Sequence, residues 1–544
     1  MRPDVAAPGA SAGWVFEGLS TMLRPLLICC VLAVSGCATL PGRNFPRPPP
    51  VDIAHEPNPA LTQPFAAAAQ AHEGASGFRL YSAGVDGLLL RLELIAQARS
   101  SLDLQYYIFH GDETGRLITE ALQHAAQRGV RVRVLVDDAE SVAGDEQLLA
   151  LAGEPQVAIR VFNPWRYRGH SRLIRGLEFA FGKNRLDYRM HNKLFVVDGA
   201  IALMGGRNIG DQYFQVDPES QFADDDVFVT GPVVRRLAGT FQQFWDSEFA
   251  IPAQALASHR RSDTAKLARR VTPAHKASTA GMNYEQKLAS GEPLAGLLAS
   301  TAPLSWATAE LACDSPDKKR VAEGERAGSL MFGLVAKAIR ETQTELLLVT
   351  PYLVPSPGEL KLLGESGAPQ RHVRILTTSL EATNDPLAQA GYMHFRVPLL
   401  RSGVDLFELR NHPESTRGSG QSAKMTRHGT YGLHAKLLVF DRSAVFIGSM
   451  NFDERSRWLN TELGLIIRSP ELAAQTAQRF QAMTQPVSAY RVTLQPVDSR
   501  ASPRLLWSTE EQGKPVSYNI EPARSSWQRF EVHALSLLAV DREL

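Results

Sequence analysis

Cysteine is scarce in this chain, and what there is cannot build a metal centre. The four cysteines, Cys29, Cys30, Cys37 and Cys313, form no close cluster with histidine at zinc spacing, so no structural or catalytic zinc is implied. An excess of one charge is missing too. Lysine and arginine number 58 against 57 aspartate and glutamate, a formal net charge of +1, which provides no global attraction to nucleic acid. The apolar run near the N-terminus, Leu26 to Val34, falls far short of the roughly 20 residues that a bilayer-spanning helix needs. What remains is a chain of 544 residues with ordinary apolar and charged fractions, too long for one compact core and suited to two domains with accessories.

A duplication dominates that length. His191-Asn192-Lys193-Leu194-Phe195-Val196-Val197-Asp198 returns as His434-Ala435-Lys436-Leu437-Leu438-Val439-Phe440-Asp441. Each copy leads to a small-residue turn and an amide, Gly205-Gly206-Arg207-Asn208 and Gly448-Ser449-Met450-Asn451, and His, Lys, Asp and Asn all recur after 243 positions. One His-x-Lys is ordinarily a solvated strand face, but a duplicated run with four fixed positions is hard to obtain by chance. The strand period puts residues two apart on one face, about 6.5 to 7 Å from each other, so His191 points with Lys193 and His434 with Lys436. On an unbroken strand Asp198 and Asp441 fall on the opposite face and read as structural partners. The glycine turns are expected to bring backbone N–H groups, an asparagine and the start of a helix to an anion. Imidazole supplies a nucleophile or proton donor near neutral pH, and ammonium groups supply charge for a phosphoryl group.

On these residues the chain resembles the phospholipase D superfamily, whose motif His-x-Lys-(x)4-Asp-(x)6-Gly-[Gly/Ser]-x-Asn is met at every fixed position in both halves. The resemblance implies an α/β phospholipase D fold: two pseudo-twofold related α/β/α sandwich halves with the active site in the cleft between them. It implies His191 as nucleophile forming a phosphohistidine and His434 as general acid and base, with the reverse assignment open. Lys193, Lys436, Asn208 and Asn451 would hold the non-bridging oxygens without a metal or cofactor. Each half would also carry a carboxylate for the far nitrogen of its histidine, as a triad aspartate does. Aligning Pro232 with Pro470 offers Asp224 and Glu462, although their distances from the histidines are 33 and 28 residues, which points to a small insertion near Tyr213 to Phe222. Asp225 and Asp226 read as an exposed strand end.

The repeat reaches further. Ser101 to Tyr107 returns as Leu346 to Tyr352, and Val132 to Leu135 as Val373 to Leu376. Strands alternating with helical spacing at Leu117, Ala121 and Ala125 predict an α/β layer architecture with mostly parallel pairing. The domains expected are a leader at 1–37, a proline-rich tether at 38–77, a first half at 78–250, a connection at 251–328 with some helix, a second half at 329–490, and a tail at 491–544. In the leader, Val34-Ser35-Gly36-Cys37 looks like a bacterial lipobox with Cys37 lipidated and Met22 as a candidate true start. Cleavage there removes Cys29 and Cys30 and leaves Cys313 alone, so no intrachain disulfide is expected. A cell-envelope protein, lipid-anchored to a membrane and facing the periplasm, follows. The arginine-rich, aromatic segment from Trp165 to Arg189 suits an anionic lipid surface or a solvated helix equally. In the tail, Ser525-Ser526-Trp527-Gln528 resembles a capping box opening an amphipathic helix with Trp527, Phe530, Ala534, Leu535, Leu537 and Leu538 on one face, expected to dock on the protein.

Phe162-Asn163-Pro164, the run Gly205 to Phe214, the Asp-rich strand and Glu521-Pro522 together resemble bacterial cardiolipin synthases of the C type. That similarity implies a phosphatidyltransferase acting on phospholipids: phosphatidylglycerol as acceptor, with phosphatidylethanolamine a candidate donor, and no nucleic-acid partner. Two alternatives stand beside it, a hydrolytic phospholipase D of the envelope and a non-catalytic lipid-binding lipoprotein.

Overall fold

A computed structural model describes residues 58–139, 148, 150–167, 172–256, 303–318, 330–364, 371–411, 429–495 and 504–537. Cys37, the lipobox and Met22 lie outside the described residues. Trp165–Lys183 belongs to a compact unit separate from the body that carries Pro49–Pro164 and Asn184–Leu544. Within that segment the Trp165 ring lies on Phe179, centroids 6.4 Å apart, and the Arg166 and Tyr167 amides donate to the Glu178 carboxylate.

The body is built on two sheets. The first runs Ser305–Ala307, Ser76–Tyr81, Asp226–Thr230, Ile201–Gly205, Leu194–Val197, Ser101–Tyr106, Arg131–Asp137, Val157–Phe162, Ala250–Pro252. The second repeats that order from Ser76–Tyr81 onward with Ala309–Cys313, Leu463–Ile467, Ala444–Gly448, Leu437–Phe440, Glu345–Val349, His372–Thr378, Asp405–Leu409 and Ala489–Gln495. Parallel pairing is confined to the three strands in each sheet that begin with Ser101–Tyr106 and Glu345–Val349. The other neighbours within both sheets are antiparallel, which corrects the expectation of mostly parallel pairing. The reason is local: a turn at Asp198 and Gly199 is too short for a crossover and returns the chain as a hairpin.

Alternation sorts the strands' side chains. Leu194 and Val196 join Leu437 and Val439 in one cluster that also takes up the helices Pro232–Trp245 and Pro470–Met483, while Phe195 and Val197 face the outer layer of the first half, and Leu438 and Phe440 that of the second. The two halves thus share a central core, and their facing edges are held in place by apolar burial.

Asp198 and Asp441 do not continue the strands. Both adopt positive φ, 50° and 48°, a region aspartate tolerates better than most residues. Asp198 accepts from the amides of Arg99, Ser100 and Ser101, the Ser100 hydroxyl and Asn58 Nδ2, and Asp441 likewise from the amides of Gln343, Thr344 and Glu345. Each carboxylate thereby ties its hairpin to the start of the neighbouring strand. Asp198→Ala leaves buried donors without an acceptor and is expected to cost about 2 to 4 kcal/mol in urea unfolding. Asp198→Asn, which keeps one acceptor oxygen, should cost less.

Three expected boundaries change. The tether ends early: Pro59–Ala71 is a helix capped by Asn58, with Leu61 and Phe65 buried in the first half's core. Proline at the first helical position is compatible with a helix start, and the alanine run behind it carries the helix on. The connection supplies strands as well as helix, Ser305–Ala307 on the first sheet and Ala309–Cys313 on the second. The tail adds Arg504–Glu511 and Lys514–Tyr518 to the second sheet before its helix, Ser526–Ser536. No helix among the described residues is long and apolar enough to cross a membrane.

Candidate functional site

The two histidines are positioned by exchange between the halves. His191 N donates to Thr461 O at 3.0 Å, next to the bridge Met190–Thr461. On the other side Thr430–Leu433 pairs in parallel with Ser220–Ala223, and His434 N donates to Ala223 O at 2.8 Å. The insertion inferred near Tyr213 to Phe222 contains the start of that strand. Each histidine arm is thus laid along the other half's carboxylate strand.

The consequence corrects the expected pairing within each half. His191 Nδ1 meets both carboxylate oxygens of Glu462 at 3.0 Å, and His434 Nδ1 meets Asp224 Oδ2 at 2.6 Å. In each case the carboxylate holds Nδ1, which directs Nε2 away from it. Lys193 and Lys436 precede the strands and donate Nζ to the carbonyls of His191 and His434. All four side chains are buried.

The glycine turns serve a different purpose from the one expected. Gly206 N and Ser449 N are taken by Asp225 O and Leu463 O, so neither faces an anion. No helix follows the first turn, and the second leads only to Glu454–Trp458. Small residues are needed because the carboxylate strand comes close: a Cβ at Gly206 would sit 2.1 Å from Asp224 Oδ1, and one at Gly448 2.5 Å from Leu463 O. Gly205 meets the Asp225 carbonyl in the same way. The asparagines keep polar atoms free for a ligand. Asn208 Oδ1 accepts from Ile108 N at 3.1 Å while its Nδ2 is buried without a partner, and Asn451 Oδ1 is likewise unpartnered. Since oxygen and nitrogen of an amide exchange by a flip, both asparagines can donate to an incoming oxyanion.

The electrostatics of the two pairs differ. Burial, with Lys193, Lys436 and Arg455 nearby, holds the His191 imidazolium well below its ordinary range. Burial and Lys436 lower His434 to about 3 against the opposing pull of Asp224. Burial pushes Glu462 up to about 7. Burial acts on Asp224 in the same direction but is outweighed by His434, Lys436 and Arg207, which hold it down to about 2. Lys436 is lowered by burial to about 8, and Lys193 falls well below its usual value for the same reason.

Several positioning residues were invisible to the motif. Asp314 accepts from the Glu462 amide at 3.2 Å and donates its own amide to Glu462 O, and Lys318 Nζ bonds Asp314 Oδ2 and the carbonyls of Ser456 and Asn460. Ser449, which fills the Gly/Ser position of the motif itself, donates Oγ to Glu462 Oε2, a contact that Gly206 lacks. Arg207 binds the carbonyls of Tyr81, Ser82, Tyr213 and Asp224. Tyr107 and Tyr213 stand edge-on to His191 and His434, at 5.0 and 5.1 Å. Asp225 and Asp226 are buried rather than exposed, paired with Arg479 and with Arg91 and Arg207. Among the described residues no group of three or more His, Cys, Asp or Glu is placed to hold a metal ion.

A sequence family described as cardiolipin synthase, PLD-like domain, matches residues 92–245 and 335–484, one stretch per motif. Cardiolipin synthase C of Escherichia coli strain K12 is 34% identical over 471 residues, covering 86% of this chain and 96% of that protein. A cardiolipin synthase of Halalkalibacterium halodurans is 25% identical over 378 residues, 69% of this chain and 59% of that protein. A crystal structure of phosphatidylserine synthase from Haemophilus influenzae aligns over 78% of this chain and 91% of its own, at 15% identity and a TM-score of 0.49.

Proposed function

The chain belongs to the cardiolipin synthase, PLD-like family, and on that premise we propose that it is a phosphatidyltransferase that makes cardiolipin. The observation that carries the mechanism is the pair of imidazoles, each held at Nδ1 by the other half's carboxylate. In the first step His191 Nε2 attacks the phosphorus of a phospholipid, the bond from phosphorus to the headgroup oxygen breaks, and His434 gives that oxygen its proton. In the second, a glycerol hydroxyl of phosphatidylglycerol gives its proton to His434 as its oxygen attacks phosphorus and the P–N bond breaks. Lys193, Lys436, Asn208 and Asn451 hold the non-bridging oxygens, where buried donors act strongly on developing charge. The low proton affinity of His434 before substrate binds is offset once a phosphodiester anion lies beside Lys193 and Lys436, because that charge favours imidazolium. Transfer rather than hydrolysis requires only that the lipid alcohol outcompete water.

The reading extends to the envelope. Val34-Ser35-Gly36-Cys37 supports lipidation at Cys37 and a periplasm-facing protein on a membrane, and a palmitate label lost in Cys37→Ala would bear this out. The reaction is tested with the mature protein in detergent, phosphatidylglycerol with and without phosphatidylethanolamine, and mass spectrometry of the products. Cardiolipin absent from both His191→Ala and His434→Ala is the expected result. Phosphatidic acid without cardiolipin identifies a hydrolase instead, and lipid binding without turnover a non-catalytic protein.

A further inference from the structure

The helix Ser526–Ser536 was expected to dock with its apolar face, but of that face's described residues only Leu535 packs on the protein, beside Val532, while Trp527, Phe530 and Leu537 stay exposed. Its cap is Ser525, whose Oγ accepts from Gln528 N at 3.1 Å. Toward the protein it turns Val532, fully buried, and Gln528, whose Nε2 donates to Leu380 O at 2.7 Å. His394 Nε2 reaches Ser536 O at 3.0 Å near the far end. Just upstream, Glu521 is paired with buried Arg396, which also binds Glu408, and Glu408 accepts from Trp507 Nε1 and the Tyr392 hydroxyl, both at 2.9 Å. The helix is therefore fastened at both ends, and its outward face is an ordered feature of the surface.

That outward face is apolar and aromatic. Trp527 is 70% exposed, Phe530 63% and Leu537 87%, with Ala534 also exposed. The rings of Trp527 and Phe530 lie against each other at 5.4 Å, and Ile520, 66% exposed, stands seven residues before Trp527. Arg524 and His533 are exposed beside them, and Glu531 is the one acidic residue of the helix. The exposed Arg524 guanidinium beside an aromatic and aliphatic sector suits the headgroup region of an anionic bilayer. A second copy joined through the same patch would bring a second exposed Arg524 guanidinium to it, an unfavourable arrangement for an isologous contact.

Position adds to the case. The helix packs on Pro386–Met393, which carries Leu387, itself 42% exposed. The cap of that helix, Asp385, follows Asn384, whose Oδ1 accepts from the Tyr352 hydroxyl at 3.3 Å. The helix with the apolar face thus rests on one that itself exposes Leu387.

We propose that Trp527, Phe530 and Leu537, with Ile520, insert into the interfacial layer of an anionic bilayer and hold the catalytic site at the lipid surface. The proposal rests on the reading of this site as one for phospholipids, and it assigns a contact separate from an acyl chain at Cys37. The test uses the full chain with vesicles of phosphatidylglycerol and phosphatidylethanolamine in which part of the lipid carries brominated acyl chains. Tryptophan fluorescence should be quenched, and the quenching should largely disappear in Trp527→Phe. Quenching unchanged by that substitution, or none at all, overturns insertion. Trp527→Ser/Phe530→Ser should lose about tenfold in turnover on vesicles while keeping wild-type turnover on monomeric short-chain phosphatidylglycerol. Equal turnover to wild type on vesicles, or an equal loss on both substrates, also overturns it. A dimer in sedimentation that the double substitution disperses, with no quenching, assigns the face to a second copy instead. If wild-type protein turns over neither lipid yet Trp527 is quenched, the surface stands and the transferase reading falls.

Discussion

Asp224→Asn will reproduce the defect of His434→Ala, although the two residues come from opposite halves of the chain and stand 210 positions apart in sequence. The carboxylate holds His434 Nδ1 at 2.6 Å, so the amide deprives the imidazole of the partner that fixes its tautomer and stabilises its protonated form. A loss of about 10³ to 10⁴ in turnover is expected, by analogy with the aspartate of a triad. The double variant should be scarcely worse than either single one, since residues acting as a unit are not additive. A phosphodiester with a good leaving group, which needs no proton, should restore much of the first step in both variants. Glu462→Gln belongs with His191→Ala by the same geometry, and neither should be rescued in that way. Should Asp224→Asn instead group with His191→Ala, each carboxylate would serve the histidine of its own half, and the exchanged arrangement would be wrong.

A second large effect concerns the intermediate. With the acid and base removed by His434→Ala, a good leaving group still departs but no base activates the acceptor, so phosphatidyl should accumulate on His191 toward one group per chain, detectable by mass spectrometry as an acid-labile, alkali-stable adduct. The asymmetry of the two pairs favours this direction. Asp224 is ionised far below neutral pH, and an imidazole beside a full negative charge carries a proton more readily. Glu462 is pushed up by burial to about 7 and contacts the Ser449 hydroxyl, while burial with Lys193 and Lys436 keeps His191 neutral, as a nucleophile must be. An adduct found on His434 in His191→Ala, with none in the reverse variant, would exchange the two roles.

Much of the site was legible because its chemistry is encoded at short range. His191, Lys193 and Asn208, and their counterparts His434, Lys436 and Asn451, sit within one hairpin each, where spacing along the chain is spacing in space. Alignment of the strands that follow points to the carboxylates, yet sequence pairs each with the histidine of its own half, not with that of the other. That error has a physical origin: the pairing of Thr430–Leu433 with Ser220–Ala223 joins segments more than 200 residues apart, and no local pattern reports which strand lies beside which. Asp225 and Asp226 read as exposed for the same reason, since Arg479 and Arg91, which neutralise them, are remote in sequence. The capped helix of the tail is legible in sequence, but its edge strands Arg504–Glu511 and Lys514–Tyr518 and the helix from Pro59 are not, because short edge strands and proline near a helix start resemble linker.

The sequence by itself determined that two copies of one reactive motif exist, which side chains they carry, and that two α/β halves hold them, because repetition and strand period are properties of the chain alone. Only the tertiary structure decided that each histidine is held by the other half's carboxylate, that Asp314 and Lys318 fasten the Glu462 segment, and which face of the C-terminal helix is left outside. Those outcomes depend on burial and on strand pairing over long separations, where the free energy of one packed arrangement over another is a sum over the whole core.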